Sequence, residues 1–450
     1  MRQMVMASVM VVGMIGSLQA ENWPQFRGEF FNSQAQSAIP ATWNESTNVS
    51  WTFKNPGEGW SSPIVWGDNL FFTAAVLKQS APARPAPAND EQPGQRRRGG
   101  DDSRLMQAVY SWQLYCLDAK TGKEKWTKVL KEGHPPLERH GDNTYATETP
   151  VTDGKHIWVY FGMIGLYCCD FDGKVVWQED LGNFPMKAGW GTSSSPLLYE
   201  DTLFLQIDNE AQSFVIAIEK ESGKEKWRVN RDEKSQYSSP IIWKNSKRDE
   251  LVLGGVFTRS YDPRSGKLLW ELDMQKGRSS ASPVTDGDML YVGNELRSRG
   301  DDDGGGYLYA VKAGGSGNIT PAEGETTSEA VAWTLSKSGL QMSSPVICEG
   351  HLYLLSRNGG IVNAVDQKTG ESVYQKRIPG AKAFWASPWV ADGKVFCPDD
   401  SGTTHVLAGG PEFNILHTNT LPGQFWASNA IANGRLYLRS TEMLYCIAEK

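Results

Sequence analysis

Apolar residues in this chain come in short runs, each about as long as a single strand, separated by turns rich in Asp, Gly, Ser and Thr. Runs such as LYVGN at 290–294 and LYLLS at 352–356 contain β-branched or aromatic residues and end at polar turn residues. Runs of this length and composition predict strands. No block of Leu, Ala, Glu and Lys shows the period of an amphipathic helix. The pattern therefore predicts an all-β fold.

Two short motifs recur along the chain. The segment LDAKTGKEKW (117–126) has four relatives, and in all five a Gly lies four residues before an aromatic residue, which is Trp126, Trp177, Trp227, Trp270 or Tyr374. A Ser-Ser-Pro motif or a variant of it occurs eight times, with its proline or the equivalent Asn at Pro63, Pro150, Pro196, Pro240, Pro283, Pro345, Pro388 and Asn429. Uninterrupted copies are about 41 to 46 residues apart, which is typical of four-stranded propeller blades.

The eighth repeat predicts how the ring of blades closes. It stops at Lys450 before any outer strand, whereas a strand-like segment around Trp51 precedes the first Ser-Ser-Pro motif. We therefore predict an eight-bladed β-propeller of four-stranded antiparallel blades over residues 48–450, with an N-terminal strand completing the last blade. The tryptophans expected to pack between blades are Trp51, Trp126, Trp177, Trp227 and Trp270.

Three segments fall outside the repeat. Residues 21–47 are an N-terminal extension, and residues 312–332 are an inserted loop. Residues 78–108 form a longer insertion rich in Pro, Ala, Arg and Gly, which includes the run Arg96-Arg97-Arg98. This composition predicts disorder, and the basic run is expected to be solvated rather than to form a binding patch.

The first twenty residues have the pattern of a secretory signal peptide. A basic Arg2 precedes an apolar stretch that is too short to cross a membrane, and Ala20 is a plausible cleavage position. We therefore expect a periplasmic or secreted protein. No cysteine follows the apolar stretch and no later run is long enough to span a bilayer, so neither a lipid anchor nor a transmembrane segment is expected. The net charge of −7 argues against a nucleic-acid partner.

Cys168 and Cys169 are adjacent, and such a pair could form a redox-active disulfide. When the repeats are aligned, the position of Cys168 holds small residues, such as Ala217 and Ala310, and the position of Cys169 holds larger apolar ones. Neighbouring residues of a strand point to opposite faces, and a disulfide between them would need distorted geometry. We therefore interpret both as buried free thiols, with a vicinal disulfide as the alternative.

The LDAKTGKEKW and Ser-Ser-Pro motifs resemble the pyrroloquinoline-quinone-like (PQQ-like), or tryptophan-docking, β-propeller repeat over most of the chain from Trp51 onward. One branch of this family is the outer-membrane assembly factor BamB, a non-catalytic lipoprotein whose mature N-terminus is a lipidated Cys, which this chain lacks. Exported quinoprotein-like propellers that begin like NWPQFRG (22–28) look closer still. The resemblance implies the fold more strongly than a function.

The other branch, the quinoprotein dehydrogenases, implies PQQ and calcium as cofactors. Those enzymes use a vicinal disulfide over the quinone, a Trp beneath it, calcium held by Glu, Asn and Asp side chains, and an Asp base. The residue types that could supply calcium ligands here are Asp208-Asn209-Glu210, Asn294-Glu295 and the acidic loop Asp301-Asp302-Asp303. The first two sets are expected to cap turns, and the third lacks the alternating spacing of a calcium loop, so no metal site is predicted.

A ligand site in a propeller is expected in the central funnel, where the segments that enter the inner strands converge. The residues three before each motif proline are Trp60, Thr147, Ser193, Tyr237, Ser280, Met342, Trp385 and Trp426. Lys234, Arg278 and Lys382 lie just upstream and predict a cationic rim, with Glu58 as an acidic exception. The hypothesis is an aromatic funnel for a planar or sugar-like ligand or an anionic peptide. The alternative is that these aromatic residues only pack the blade ends.

No catalytic residue is predicted. The six histidines are scattered, although His140, Asp142, Asn143 and Glu148 share one segment in which hydrolytic or lyase chemistry would be conceivable. The sequence favours an exported, monomeric, non-catalytic scaffold that binds a protein partner or a small or glycan ligand in its funnel. The alternatives are a PQQ- and calcium-dependent alcohol or sugar dehydrogenase and, third, a carbohydrate-active enzyme.

Overall fold

The computed structural model describes residues 21–82, 103–275, 277–295 and 306–449. These residues form eight antiparallel sheets arranged as propeller blades, which confirms the predicted all-β, eight-bladed architecture. The predicted signal peptide (1–20) and the acidic loop 301–303 lie outside the described residues. Within them, no helix is long and apolar enough to cross a membrane, and the helical segments are the short 3₁₀ turns Ser103–Gln107 and Lys187–Gly189.

Neighbouring strands of a blade follow one another in chain order. After β1 (Val49–Lys54), blades one to four contain β2 (Ile64–Trp66), β3 (Asn69–Gln79), β4 (Val109–Asp118), β5 (Glu124–Gly133); β6 (Val151–Thr152), β7 (His156–Phe161), β8 (Gly165–Asp170), β9 (Val175–Glu179); β10 (Leu197–Tyr199), β11 (Thr202–Ile207), β12 (Ser213–Glu219), β13 (Glu225–Arg231); β14 (Ile241–Lys244), β15 (Asp249–Leu253), β16 (Phe257–Tyr261) and β17 (Leu268–Asp273). Blade five contains β18 (Val284–Asp286), β19 (Met289–Gly293), β20 (Tyr307–Lys312) and β22 (Val331–Ser336); the short strand β21 (Gly317–Asn318) lies between β20 and β22 in the chain but belongs to the sheet of blade four. Blade six contains β23 (Val346–Cys348), β24 (His351–Leu355), β25 (Ile361–Asp366) and β26 (Ser372–Arg377), and blade seven contains β27 (Trp389–Ala391), β28 (Lys394–Pro398), β29 (Thr403–Ala408) and β30 (Ile415–Thr420). Blade eight contains β31 (Ala430–Ala432), β32 (Arg435–Arg439) and β33 (Met443–Ile447).

The last blade is completed by the N-terminal strand, as predicted. Its sheet order is β1-β33-β32-β31, and Trp51 of β1 lies opposite Cys446 of β33. The chain therefore closes the ring by pairing its first strand with its last, and the eighth blade has no missing outer strand.

Each predicted inter-blade tryptophan except Trp270 lies over the turn glycine of the next blade. A Cβ placed on Gly122 would lie 2.5 Å from the Trp51 ring, and one placed on Gly223 would lie 2.8 Å from the ring of Trp177. These glycines have φ near +70°, so the turn needs a residue without Cβ both for its backbone and for the indole above it. The indole N–H donates to a carbonyl in the same turn, as Trp177 does to Lys220 at 3.0 Å.

Trp270 departs from this arrangement because the following blade contains the 312–332 insertion in place of the short turn. Its indole N–H donates to Glu250 of its own blade at 2.6 Å. Part of the predicted loop is a strand, since β21 pairs in parallel with β17 and gives the fourth blade a fifth strand. Trp333 then takes the inter-blade position of the fifth blade and lies over Gly370. Trp333 is absent from the predicted set because the insertion separates it from the usual Gly.

A small residue faces each inter-blade aromatic residue across the outer strand pair. Cys116 pairs with Trp126, Cys168 with Trp177, and Ala217 with Trp227. All six cysteines are free and buried. Cys168 and Cys169 belong to different core clusters, as expected for neighbours on opposite faces of a strand. Burial raises the pKa of Cys169 to about 12, which agrees with the interpretation of these residues as inert packing thiols.

The N-terminal extension, residues 21–47, lies across inner-strand residues of several blades. Trp23 exchanges backbone hydrogen bonds with Val65 of blade one, and the backbone on both sides of Gln34 bonds to Val390 of blade seven. Arg27 is almost completely buried and donates to the carbonyls of Pro283 and Pro345, in blades five and six. The extension thus ties together blades that are distant in sequence.

The insertion predicted at 78–108 is partly ordered at both ends. Strand β3 continues to Gln79, and after the 3₁₀ turn Ser103–Gln107 the side chain of Ala108 is buried in the core of the first two blades. The rest of the predicted disordered segment, residues 83–102, lies outside the described residues.

Two glycine substitutions test the docking contact. Gly122 and Gly350 have nearly the same positive φ, but a Cβ on Gly350 would meet nothing within 4 Å. We expect Gly350→Ala to lower the free energy of unfolding by about 1–2 kcal/mol, the cost of a left-handed Cβ residue. Gly122→Ala should cost about 1–3 kcal/mol more, because its Cβ overlaps the Trp51 ring. Denaturant unfolding of both variants measures the difference, and equal losses would mean that the docking contact is not a tight one.

Candidate functional site

A cavity of about 1000 Å³ opens at the centre of the ring, and all eight residues predicted for the funnel line it. They are Trp60, Thr147, Ser193, Tyr237, Ser280, Met342, Trp385 and Trp426. Each blade supplies one of them from the segment that leads into its inner strand, so the repeat itself places them around one axis. Three further wall residues, Phe26, Trp190 and Arg357, come from outside the motif register and were not predicted.

A ring of hydroxyl groups lies deeper in the funnel wall. We call it the hydroxyl ring; its members are Ser62, Thr149, Ser195, Ser239, Ser282, Ser344, Ser387 and Ser428, each adjacent to the motif proline or its Asn equivalent. Seven of these hydroxyl oxygens accept a hydrogen bond from the backbone N–H of the ring member in the preceding blade, at 2.9 to 3.1 Å. The Ser of the Ser-Pro motif therefore joins neighbouring blades at the axis, a role that the motif alone does not reveal.

Three tryptophans form an aromatic arc along one side of the funnel. Trp60 and Trp426 meet edge to face with ring centroids 4.2 Å apart, and Trp385 stacks on Trp426 at 5.2 Å. The guanidinium of Arg357 lies 4.2 Å from the centre of the Trp385 ring. The indole N–H of Trp426 is buried and has no hydrogen-bond partner among the described residues. All three side chains are only half buried, so this arc both packs on itself and presents surface to the cavity.

Another part of the funnel wall is polar and comes from the segment that contains His140, which leads into the second blade. Asp142 and Asn143 line the cavity together with Trp190, on which the His140 ring stacks at 3.8 Å. The Asn143 amide donates to the carbonyls of Trp190 and Thr192. His140 Nδ1 accepts the backbone N–H of Asp142 at 2.9 Å. The structure brings His140, Asp142 and Asn143 together, and one carboxylate oxygen of Asp142 lies 3.8 Å from His140 Nδ1.

The predicted cationic rim is only partly present in the wall. Arg278 lines the cavity and forms an ion pair with Glu295 at 2.6 Å. Lys234 lies outside the wall, where its ammonium donates to the Glu210 carbonyl, and the side chain of Lys382 is exposed. Arg357 takes the second cationic position in the wall. These two lysines, although close in sequence to the funnel residues, thus do not line the cavity.

The described residues do not match the quinone and calcium set that the dehydrogenase branch implies. Cys168 and Cys169 are fully buried inside a blade and away from the cavity. Asp208 is buried in an ion pair with Arg231 at 2.9 Å, and the Asn209 side chain closes its own turn. Asp142 is the single carboxylate among the described wall residues. No chemistry of a bound quinone can therefore be assigned to these side chains.

One group of metal-ligating residue types lies elsewhere, between blades two and three. Ligand atoms of Asp153, His156 and Glu221 lie within 4.8 Å of one another. Asp153 already accepts the ammonium of Lys220 at 2.8 Å and two backbone N–H groups. The lysine neutralises the carboxylate that a cation would need, so this group is best described as an ion-pair cluster that holds two turns together.

Glu148 is buried directly behind the funnel wall, between the wall residues Thr147 and Thr149. Burial raises its pKa to about 7, although a hydrogen bond from Thr192 and nearby backbone groups favour the charged form. One of its carboxylate oxygens has no partner among the described residues, and the site favours the protonated acid below about pH 7. Burial and, after it, the charge of Glu148 raise the pKa of Tyr160.

The buried acid predicts a pH dependence of stability. Its pKa rises from 4.5 in the unfolded chain to about 7 in the folded one, so the folded state retains a proton that the unfolded state releases. The contribution of Glu148 to the free energy of unfolding is therefore fully present below about pH 4.5 and falls as the pH rises toward 7, by up to about 3 kcal/mol. Glu148→Gln keeps the size and polarity of the side chain and should remove this dependence. Thermal unfolding of both proteins from pH 4 to 8 measures it, and identical pH profiles would contradict the assignment.

Solved structures that are similar to this chain include BamB and alcohol and methanol dehydrogenases. BamB from Moraxella catarrhalis aligns over 88% of this chain and 98% of its own with a TM-score of 0.56 at 13% identity. The quinohemoprotein alcohol dehydrogenase from Comamonas testosteroni aligns over 95% and 81% with a TM-score of 0.58 at 10% identity. A europium-containing methanol dehydrogenase aligns over 86% and 89% with a TM-score of 0.51 at 13% identity. At these identities the likeness concerns the fold alone.

Sequence comparison gives the family. No curated protein matches the chain. The family model described as "Outer membrane protein assembly factor BamB" matches residues 139–256 and 254–409, which together span more than half of the chain. Consistent with the repeat motifs and the eight-bladed ring, this protein belongs to the BamB-like family of PQQ-like β-propellers.

Proposed function

We propose that this protein is an exported, non-catalytic propeller that binds a partner or a small ligand in its central funnel. The observation that carries the proposal is the half-exposed aromatic arc of Trp60, Trp385 and Trp426, which lines the central cavity. Concave sites lined by aromatic side chains with a few polar groups are typical of ligand-binding pockets. The rigid blade ends hold this wall in place before any ligand arrives.

Export is the part of the proposal that depends on the N-terminal sequence. The basic and apolar pattern of residues 1–20 is that of a signal peptide, and the family includes the outer membrane assembly factor described by the matching model. A family of this kind favours a protein partner, which would engage the funnel or its rim. The mature protein is expected to act in the periplasm or outside the cell as a monomer.

The side chains in or next to the funnel wall that could transfer protons are engaged in other contacts. His140 Nδ1 is engaged by the backbone of Asp142, and its ring is stacked on Trp190. Asp142 stands alone as an acid in the described wall. A quinone-dependent dehydrogenase, the alternative, would need carboxylate and amide ligands for calcium, and the described residues of those types are engaged in turns and ion pairs away from the wall.

Two variants test whether the funnel binds. Trp385→Ala removes one end of the arc, and Lys382→Ala, three residues earlier, changes an exposed side chain outside the wall. We expect the first variant to lose at least about tenfold in retention of partners from a periplasmic extract, because interface tryptophans often contribute more than 2 kcal/mol. The second should match the unmodified protein. Quantitative co-purification measures retention, and thermal unfolding corrects for any loss of folded protein.

A cofactor titration decides between the scaffold and the dehydrogenase. Calorimetry with PQQ and calcium, followed by dye reduction with a panel of alcohols and aldoses, is expected to show neither tight binding nor turnover. Calcium-dependent binding with turnover would show that the protein is an enzyme and not a scaffold.

In the Trp385→Ala experiment, loss of stability without any change in partner retention would show that the arc only packs the blade ends.

A further inference from the structure

We propose that the funnel takes a saccharide that carries a carboxylate, with the carboxylate at the hydroxyl ring and the sugar face against the aromatic arc. This inference rests on the proposed function and names the ligand class for the same site. Three features carry it: the direction in which the ring hydroxyls can donate, two cationic groups beside the ring, and the flat apolar surface above it.

The hydroxyl groups of the hydroxyl ring have protons to donate, and no acceptor for these protons lies among the described residues. Each Ser or Thr hydroxyl has one proton to donate and two lone pairs. In seven of the eight members the oxygen accepts an N–H from the preceding blade, and none of these hydroxyls donates to any acceptor among the described residues. Their protons are therefore left for whatever occupies the axis. A convergent set of donors favours an anionic, oxygen-rich group.

Two guanidinium groups add positive charge close to the ring. Arg27 is held only by Ser33 and by two proline carbonyls, and no carboxylate among the described residues pairs with it. It lines a second cavity, of about 250 Å³, together with Ser239 and Ser282 of the hydroxyl ring. Burial lowers its pKa to about 9, so it remains charged at neutral pH. In the funnel itself Arg278 also faces the cavity, although Glu295 shares its charge.

The aromatic arc decides between a sugar and a simple organic anion. Indole rings offer flat apolar faces of the size of a pyranose C–H face, and the three half-exposed rings of the arc line the cavity at successive blades. A sugar acid also offers ring, hydroxyl and carboxylate oxygens around its edge, which matches donors spread around an axis better than a peptide carboxylate does. Asp142, elsewhere in the wall, can accept from the remaining sugar hydroxyls.

A pair of substitutions at Ser280 tests the anion site. Ser280 lines the funnel two residues after Arg278, is half buried, and makes no described hydrogen bond through its side chain. Ser280→Asp and Ser280→Asn add side chains of the same shape that differ in charge. We expect the unmodified protein to bind oligogalacturonate in calorimetry, Ser280→Asn to bind within about threefold, and Ser280→Asp to bind at least about tenfold more weakly because like charges repel.

The neutral galactose oligosaccharide of the same length is the ligand control, and it should bind at least about tenfold more weakly than the acid. Equal affinity for the neutral sugar, or equal losses in the two Ser280 variants, would overturn the inference. So would an absence of oligogalacturonate binding in a protein whose partner retention still depends on Trp385, and the proposed function would then stand. If retention is independent of Trp385 as well, the proposed function fails too.

Discussion

Five blades of this propeller are held to the next by an indole ring that lies over a turn glycine and donates its N–H to a carbonyl in the same turn. The contact needs a Gly with positive φ, a Trp in the preceding blade and a small residue opposite that Trp, as in Gly223, Trp177 and Cys168. These three requirements explain most of the repeat. The hydroxyl ring also joins neighbouring blades, at the axis, where the backbone N–H of one ring member donates to the hydroxyl oxygen of the next. Outer and inner contacts together fix the angle between blades.

The funnel follows from this arrangement. Because the motif prolines are placed at equal heights around the axis, the residues three positions earlier must also form a ring. In that ring Trp60, Trp385 and Trp426 contact one another between neighbouring blades and remain half exposed along the cavity. The N-terminal extension contributes from the other direction, since Phe26 reaches the cavity and Arg27 is buried beside the ring. A scaffold held together elsewhere can thus present a preformed site.

Proteins of different function share this fold, and the residues in the wall decide which chemistry a member can perform. Here the adjacent cysteines serve packing: Cys168 faces Trp177, and Cys169 faces the core of the first two blades. Asp208, which has the right chemistry for a cation, is already paired with an arginine. The wall of the funnel consists of aromatic side chains, hydroxyl groups and a few charged residues.

The sequence by itself determined the number of blades, the closure by the N-terminal strand, the free thiols and the eight funnel positions, because each depends on a local motif with a fixed spacing. It could not determine which upstream cations face the cavity, since Lys234 and Arg278 both lie a few residues before a funnel position and only Arg278 lines the wall. Nor could it find Trp190, Arg357 or the role of Arg27, because these reach the axis through loops and an extension that follow no repeat. Local periodicity specifies a ring, whereas contacts between segments far apart in sequence form only when the ring has closed.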